Sequence, residues 1–258
     1  MPLDPLTLTP LPGIPLIQPG DNLAAIIRVS LQEAEIALQD GDILVLAQKI
    51  VSKAEGRLVD LSTVYPSTKA MVYAAETEKD PRLIELILRE SNEVLRARPG
   101  LIIVEHRLGF VCANAGIDHS NVRGEGGNPD DWVLLLPENP DASATALRTQ
   151  LEAQAGTHLG LMIIDSHGRA WRNGTVGVCI GLSGLPGLED LRGQKDLFDY
   201  ELRVTEVGVA DELAAAASLM MGQVAEGTPV VHVRGFPYPL REAELGELMR
   251  PKDKDMFR

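Results

Sequence analysis

Cysteine is scarce, with two in 258 residues, which leaves room for one disulfide at most and excludes a densely stapled scaffold. Cys112 and Cys179 both sit in apolar runs. They read as two buried thiols of a cytoplasmic protein, with a single bridge as the alternative. Positive charge is also short: 24 Lys and Arg stand against 37 Asp and Glu, for a net charge of -13. That argues against nucleic acid as a bulk partner, and it means that a polyanionic substrate needs local cations or metals to offset the global field. No apolar run reaches the length of a membrane span, so no membrane partner is expected. The N-terminus, MPLDPLTLTPLPGIPLI, has no basic leader and several prolines, so it does not read as a signal peptide. No Walker A pattern occurs, and no regular His/Cys spacing supports a zinc site. There is no internal repeat and no low-complexity linker.

What is present is 45% hydrophobic residues, enough for one large domain or two small ones. Leu6 to Thr9 alternates like a strand, and the stretch Pro10 to Pro15 breaks it. Asp21 is placed to cap a helix from Asn22 to about Gln39, ended by Gly41, and Ile43 to Ala47 follows as a strand. Helices are expected over Thr68 to Thr77 and, behind an Asp80 cap and Pro81, over Arg82 to Glu90. Val94 to Ala97, the Pro99-Gly100 turn and Leu101 to Val104 suggest a hairpin, with Phe110 to Ala113 and Trp132 to Leu136 as further strands. Asp141 is expected to cap a helix from Ala142 to Ala155 that stops at Gly156. Ser183 to Asp199 is a charged, glycine-rich loop, either a lid or a long solvated connection. Asp211 should cap an alanine-rich helix from Glu212 to Met221, ahead of a core strand, Val230 to Val233. Glu242 to Met249 reads as helical, and the polar tail Pro251 to Arg258 as frayed. Hairpins mixed with helices predict an α+β fold rather than a regular βαβ alternation.

Three polar stretches carry candidate chemistry. In LMIIDSHGRAWRNGTVGVCIG an apolar strand, Leu161 to Ile164, stops at Asp165-Ser166, a turn follows, and the chain is apolar again from Thr175 to Ile180. A carboxylate and a hydroxyl at a strand end are hard ligands suited to magnesium or manganese, although Asp also simply begins turns. After Ile43 to Ala47 come Lys49, Lys53, Arg57 and Ser52, which either cradle phosphates or continue the strand outward in solvent. The third stretch, Asn114 to Arg123, offers Asp118 and Asn121, in what is otherwise an Asx-rich surface loop. His119 and His167 lie near these carboxylates but show no ligand spacing. The GEGGNP run from Gly124 opens no helix and reads as a turn.

Five segments come together in order along nearly the whole chain: LPGIPLI from Leu11, LAQKIVSKAEGR from Leu46, NAGIDHSNV from Asn114, IIDSHGRAWRNGTVGVCIG from Ile163, and ADELAAAASLMMGQVAEGTPVV from Ala210. In these the chain resembles the GTP-dependent coenzyme F420-0:L-glutamate ligases, the gamma-glutamyl ligases. The resemblance implies an α+β fold of mixed sheets with packed helices, an intertwined homodimer, and a nucleotide site unlike the P-loop. It implies joining L-glutamate to a deazaflavin precursor, then a second glutamate through a gamma-glutamyl bond. GTP phosphorylates a substrate carboxylate, the glutamate amine attacks the acyl phosphate, and GDP and phosphate leave. Anion meets anion in that step, so divalent cations are needed, which resolves the charge constraint of an acidic protein.

Carried over by residue, the resemblance implies Asp118 and Asp165 as catalytic metal ligands, with Ser166 and Gln223 as further contacts to two Mg2+ or Mn2+ ions, and potassium beside them. It implies GTP held by Gly13, Ile14, Pro15 and Leu16, by Gln48, Lys49 and Lys53, by Asn121, and by the turn Met221, Gly222, Gln223, Val224, Ala225, Glu226, Gly227 and Thr228. Lys53 is the favoured phosphate contact, since ammonium serves as a phosphate point charge. Arg169 and Arg172 are anion contacts by spacing alone. The chain is expected to be a single cytoplasmic ligase module without the nitroreductase-like domain that some relatives append. The alternatives are a ligase for a different acyl acceptor, separable by product analysis, and a nucleotide-binding homologue without catalysis.

Overall fold

The structure is a computed structural model and describes residues 5–256. In chain order its elements are β1 (Thr7–Pro10), α1 (Leu23–Glu33), β2 (Ile43–Ala47), α2 (Gln48–Ala54), β3 (Leu58–Asp60), α3 (Thr68–Thr77), α4 (Pro81–Arg89), β4 (Ser91–Arg98), β5 (Leu101–His106), β6 (Val111–Ala113) and β7 (Trp132–Leu134). There follow α5 (Pro140–Ala155), β8 (Gly160–Arg169), β9 (Arg172–Ser183), β10 (Glu189–Asp190), β11 (Glu206–Val207), α6 (Val209–Met221) and β12 (Val230–Arg234). The mixed α+β class expected from the sequence is what forms.

The main sheet has the order β1-β12-β2-β8-β9. Only β2 and β8 run parallel within it, in register from Ile43 opposite Gly160 to Ala47 opposite Ile164. The ILVLA run of β2 is apolar at every position because the sheet is covered on both faces. Leu44, Leu46, Leu161 and Ile163 face α1, α2 and α5 through Leu23, Ile27, Ile50, Val51, Leu147 and Leu151. Ile43, Val45, Met162 and Ile164 face α6 through Leu213, Ala214 and Ala217. Small side chains bring α6 close: a Cβ on Gly177 of β9 would lie 2.5 Å from the Ala214 carbonyl oxygen. A third apolar cluster, built on Ile84, Ile87, Ile102, Val104 and Val133, joins α3 and α4 to the β4-β5-β6 sheet.

Several local readings change. Helix α1 stops at Glu33, short of Gln39, because Glu35 takes the left-handed conformation at φ 56. Ile36 N–H then donates to Leu31 O and Glu35 N–H to Gln32 O, a Schellman closure that needs no glycine. The cap is Asn22, whose Oδ1 accepts from Ala25 N–H, while Asp21 is occupied by Gln18 N–H. Likewise Asn139, not Asp141, caps α5, because Asp141 accepts from Leu182 and Leu245 N–H at long range. Helix α6 begins at Val209, ahead of Asp211, whose carboxylate accepts from Cys179 N–H. The stretch after β2 does not continue outward as a strand but forms a helix, α2. Glu242 to Met249 forms only a 3-10 turn, Leu245–Leu248. A 3-10 turn, Lys252–Lys254, sits in the tail read as frayed, and residues 257–258 of that tail lie outside the described residues. Cys112 and Cys179 are free and buried, as expected.

Candidate functional site

A cleft of about 1070 Å³ opens where β2 and β8 end their parallel run, the place where α/β sheets expose strand ends to ligands. Its walls come from the loop after β1, from α2, from the segment between β6 and β7, from the β8-β9 hairpin, and from the turn after α6. The five segments that carry the resemblance therefore converge on one cavity.

One wall is cationic. Because α2 starts directly after β2, Lys49 and Lys53 stand one helical turn apart on the same face. Lys49 Nζ donates to Ser120 Oγ at 2.8 Å and to Ser120 O at 3.0 Å, and lies 3.4 Å from Asp118 Oδ2. Lys53 Nζ donates to Asn121 O at 2.7 Å. Burial, aided by the charge of Lys49, holds the Lys53 ammonium below its ordinary pKa. Such a group gains from an anion placed beside it. Arg123 also lines the cleft.

The other wall is anionic. Asp118 is pinned by backbone bonds in both directions with Leu134, and its Oδ2 accepts from Gln48 Nε2 at 2.8 Å. Gln48 is fixed in turn by Ser52 Oγ, which donates to its Oε1 at 2.8 Å. Burial and the charge of Asp165 push the Asp118 carboxyl up to about 6, against the pull of Lys49. Asp165 is not at a strand end. β8 runs on to Arg169, Asp165 pairs with Val178, and the turn falls at Trp171, with φ 64. Two residues on, His167 lies on the same face, with Nε2 3.0 Å from Asp165 Oδ2. Ser166 points the other way, toward α6, where its Oγ donates to Gln223 Oε1 at 3.1 Å.

The turn after α6 closes the site. Gly222 ends the helix at φ 72 and ψ -175, a conformation essentially confined to glycine, and a Cβ there would also press on the Glu226 side chain. Glu226 accepts from Val224 N–H at 2.8 Å, Gln223 Nε2 donates to Ser218 Oγ at 3.0 Å, and Asn121 Nδ2 donates to Val224 O at 2.9 Å. Asn121 thus ties the turn to the α2 wall.

The donor set suits a hard divalent cation. Asp118, Asp165, Ser166 Oγ and Gln223 Oε1 are all oxygens around one cavity. The Asp118 carboxyl is raised first by burial and then by the charge of Asp165, and a cation held by the two carboxylates would relieve both. Ser166 and Gln223 lie on the α6 side of β8, apart from the Asp165 face, so the oxygens fall into two groups. Among the described residues no cluster of three His, Cys, Asp or Glu offers a purely charged or nitrogen-rich site.

Nearly all the expected contacts meet here: Ile14, Pro15, Leu16, Gln48, Lys49, Lys53, Asp118, Asn121, Asp165, Ser166 and Met221 to Thr228 line the cleft. Gly13 does not. It borders a separate shallow depression beside α1, where its own positive φ of 70 serves the turn and a Cβ would meet Glu33. Arg169 and Arg172 stay out at the hairpin tip, with Arg169 Nη1 donating to Gly174 O at 3.3 Å. Ser120 and Ser218 line the cleft without having been singled out, and so does His167, which was noted near a carboxylate but given no role. The two-residue spacing of Asp165 and His167 is the one sequence signal that pointed to any of them, and it requires knowing that β8 continues.

Comparison with known proteins follows the same lines. The F420-0:Gamma-glutamyl ligase family matches residues 13–235. The chain is 45% identical to the coenzyme F420:L-glutamate ligase of Methanothermobacter thermautotrophicus, over 98% of this chain and 99% of that protein. It is 44% identical to the protein of the same name from Methanopyrus kandleri, over 99% of each. The counterpart from Archaeoglobus fulgidus is 41% identical, over 96% of this chain and 95% of that protein.

Proposed function

The chain belongs to the F420-0:gamma-glutamyl ligase family, and from that membership we propose that it joins L-glutamate to coenzyme F420-0 with GTP as co-substrate, adding a second glutamate through a gamma-glutamyl bond. The observation that supports this reading most is the pairing, in one cleft, of the Lys49 and Lys53 wall with the Asp118 and Asp165 wall. A nucleotide triphosphate meeting a carboxylate acceptor needs both: fixed cations for the phosphates, and oxygens that hold divalent metal.

In this reading Lys53 contacts the phosphates, with its own carbonyl partner Asn121 given up or shared, and Lys49 bridges toward the acidic wall. Ile14 to Leu16 and the Met221 to Thr228 turn enclose the nucleotide, and Asn121 holds that turn in place. Asp118 and Asp165, with Ser166 and Gln223, would hold two Mg2+ or Mn2+ ions, with potassium nearby. When bound, these ions neutralise the phosphate oxygens and stabilise charge on the transferring group. The substrate carboxylate attacks the γ-phosphorus and GDP departs. The glutamate amine then attacks the acyl carbon, the amide forms, and phosphate leaves. Enclosure by the turn after α6 limits loss of the acyl phosphate to water.

No helix among the described residues is long and apolar enough to cross a membrane. We further propose a cytoplasmic homodimer acting as a single ligase module. The test is an end-point assay with GTP, Mg2+ or Mn2+, L-glutamate and the unglutamylated precursor, reading GDP and product mass. A mass gain of one or two glutamyl units matched to GDP is the expected result. GDP without that mass gain would overturn the acceptor, and neither signal would overturn catalysis.

A further inference from the structure

We propose that His167 is a positioning residue for Asp165: its imidazole N–H, braced from behind by Phe110, fixes the carboxylate for the divalent cation. This rests on the metal-dependent reading above and adds a residue to it. Nε2 of His167 lies 3.0 Å from Asp165 Oδ2, and both side chains are 11% exposed. Within the described structure that buried nitrogen makes no aligned hydrogen bond to any group, Asp165 included. Asp165 Oδ2 is the acceptor within reach of a proton on Nε2.

The ring cannot drift far. Phe110 packs on it with centroids 5.3 Å apart and planes tilted 48°, and Phe110 in turn stacks on buried His106 at 5.1 Å and 5°. His106 is itself held, its Nδ1 accepting from Leu108 N–H at 3.1 Å. His106 Nε2 lies 3.7 Å from Glu90, which also binds Arg57 and Arg107. A continuous packed line therefore runs from the fixed Glu90 cluster to Asp165. Ligating carboxylates commonly depend on such outer partners, and losing one weakens metal binding by about 10- to 100-fold.

The experiment titrates the full-length protein with Mn2+ alone, following free Mn2+ by electron paramagnetic resonance. Wild type, His167→Leu, His167→Gln and Asp165→Asn are compared, each checked for folding by circular dichroism. His167→Ala replaces the leucine variant if that fails to fold. Leucine fills the space without a donor, whereas the glutamine amide nitrogen reaches about where Nε2 sits. The expected result is a loss of about 10- to 100-fold in Mn2+ affinity for His167→Leu, with His167→Gln restoring most of it. Equal affinities for the leucine, glutamine and wild-type proteins would overturn the inference, as would equal losses for leucine and glutamine. A wild-type protein that takes up no Mn2+ would instead overturn the divalent-cation reading itself.

Discussion

Gly177→Ala tests whether the turn after α6 depends on how closely that helix sits on the sheet. The added Cβ would lie 2.5 Å from Ala214 O and 2.6 Å from Ser218 Cβ, against ordinary contact beginning at 3.4 Å. Neither neighbour can swing away, since one is helix backbone and the other a Cβ. The helix must therefore lift by about 0.9 Å or β9 must bend. Overpacking of this kind costs roughly 1–3 kcal/mol, which for a chain of this size lowers the melting midpoint by about 2–12 °C. Ser218 is one of the displaced contacts, and it anchors Gln223, so GTP affinity should fall as well. Gly168→Ala is the control: it lies on the paired strand β8, and nothing stands within 4 Å of the added Cβ. Its stability should stay within about 0.5 kcal/mol of wild type. Denaturant unfolding of both variants, with nucleotide binding measured beside it, decides the matter. If Gly177→Ala unfolds at the same denaturant midpoint as Gly168→Ala, the close-contact reasoning is refuted.

Three other outcomes are expected. Asp165→Asn should abolish GDP formation and leave the melting midpoint near wild type, because the side chain lines a cleft rather than a core; unchanged GDP release would remove Asp165 from the catalytic role. Lys53→Met should weaken GTP binding by about 10- to 100-fold, the worth of a charge-assisted contact of roughly 1.5–3 kcal/mol, and calorimetry showing full affinity would exclude the phosphate contact. At the far end of β2, buried Asp42 accepts from Arg234 Nε and Nη2 at 2.8 and 2.7 Å and lies 2.9 Å from His232 Nε2. Burial pushes its carboxyl up, but Arg234, His232 and Gln39 N–H outweigh that and hold it well below the usual carboxylate range. A folded-state pKa below the unfolded one means that the stabilisation is complete above about pH 4 and fades as pH falls toward the folded value. Asp42→Asn should therefore cost about 3 kcal/mol at pH 7, near the low end for a buried pair since Arg234 is partly in solvent. The difference from wild type should shrink in acid, and a pH-independent difference in unfolding free energy would contradict the assignment.

Apolar runs long enough to be unambiguous were legible from residues alone. Ile43 to Ala47, Thr68 to Thr77, the helix behind Asp80-Pro81 and the hairpin around Pro99-Gly100 all form where patterning places them. Three misreadings, all of helix caps, share one cause. Asp21, Asp141 and Asp211 carry side chains suited to capping, yet each carboxylate is claimed by a different N–H, two of them from distant strands. Local chemistry cannot reveal that competition. Helix α2 was missed because seven residues barely complete two turns, too few for a periodicity to show. Polar residues from Asp165 to Arg169 look like a strand end, but pairing with β9 carries β8 onward and turns His167 onto the face of Asp165. Gly13, inside a matching segment, faces away from the cleft because its loop turns there.

By itself the sequence determined the family, the α+β class and the residue types of the site, since these rest on order, patterning and side-chain chemistry. Tertiary structure decided which of those residues meet. Asp118, Lys49 and Asp165 are separated by tens of residues, and only the parallel pairing of β2 with β8, with α6 drawn close over glycine, sets opposite charges across one cleft. Burial and the distances between charges depend on that packing, and the raised carboxyl of Asp118 follows first from its burial and then from the charge of Asp165.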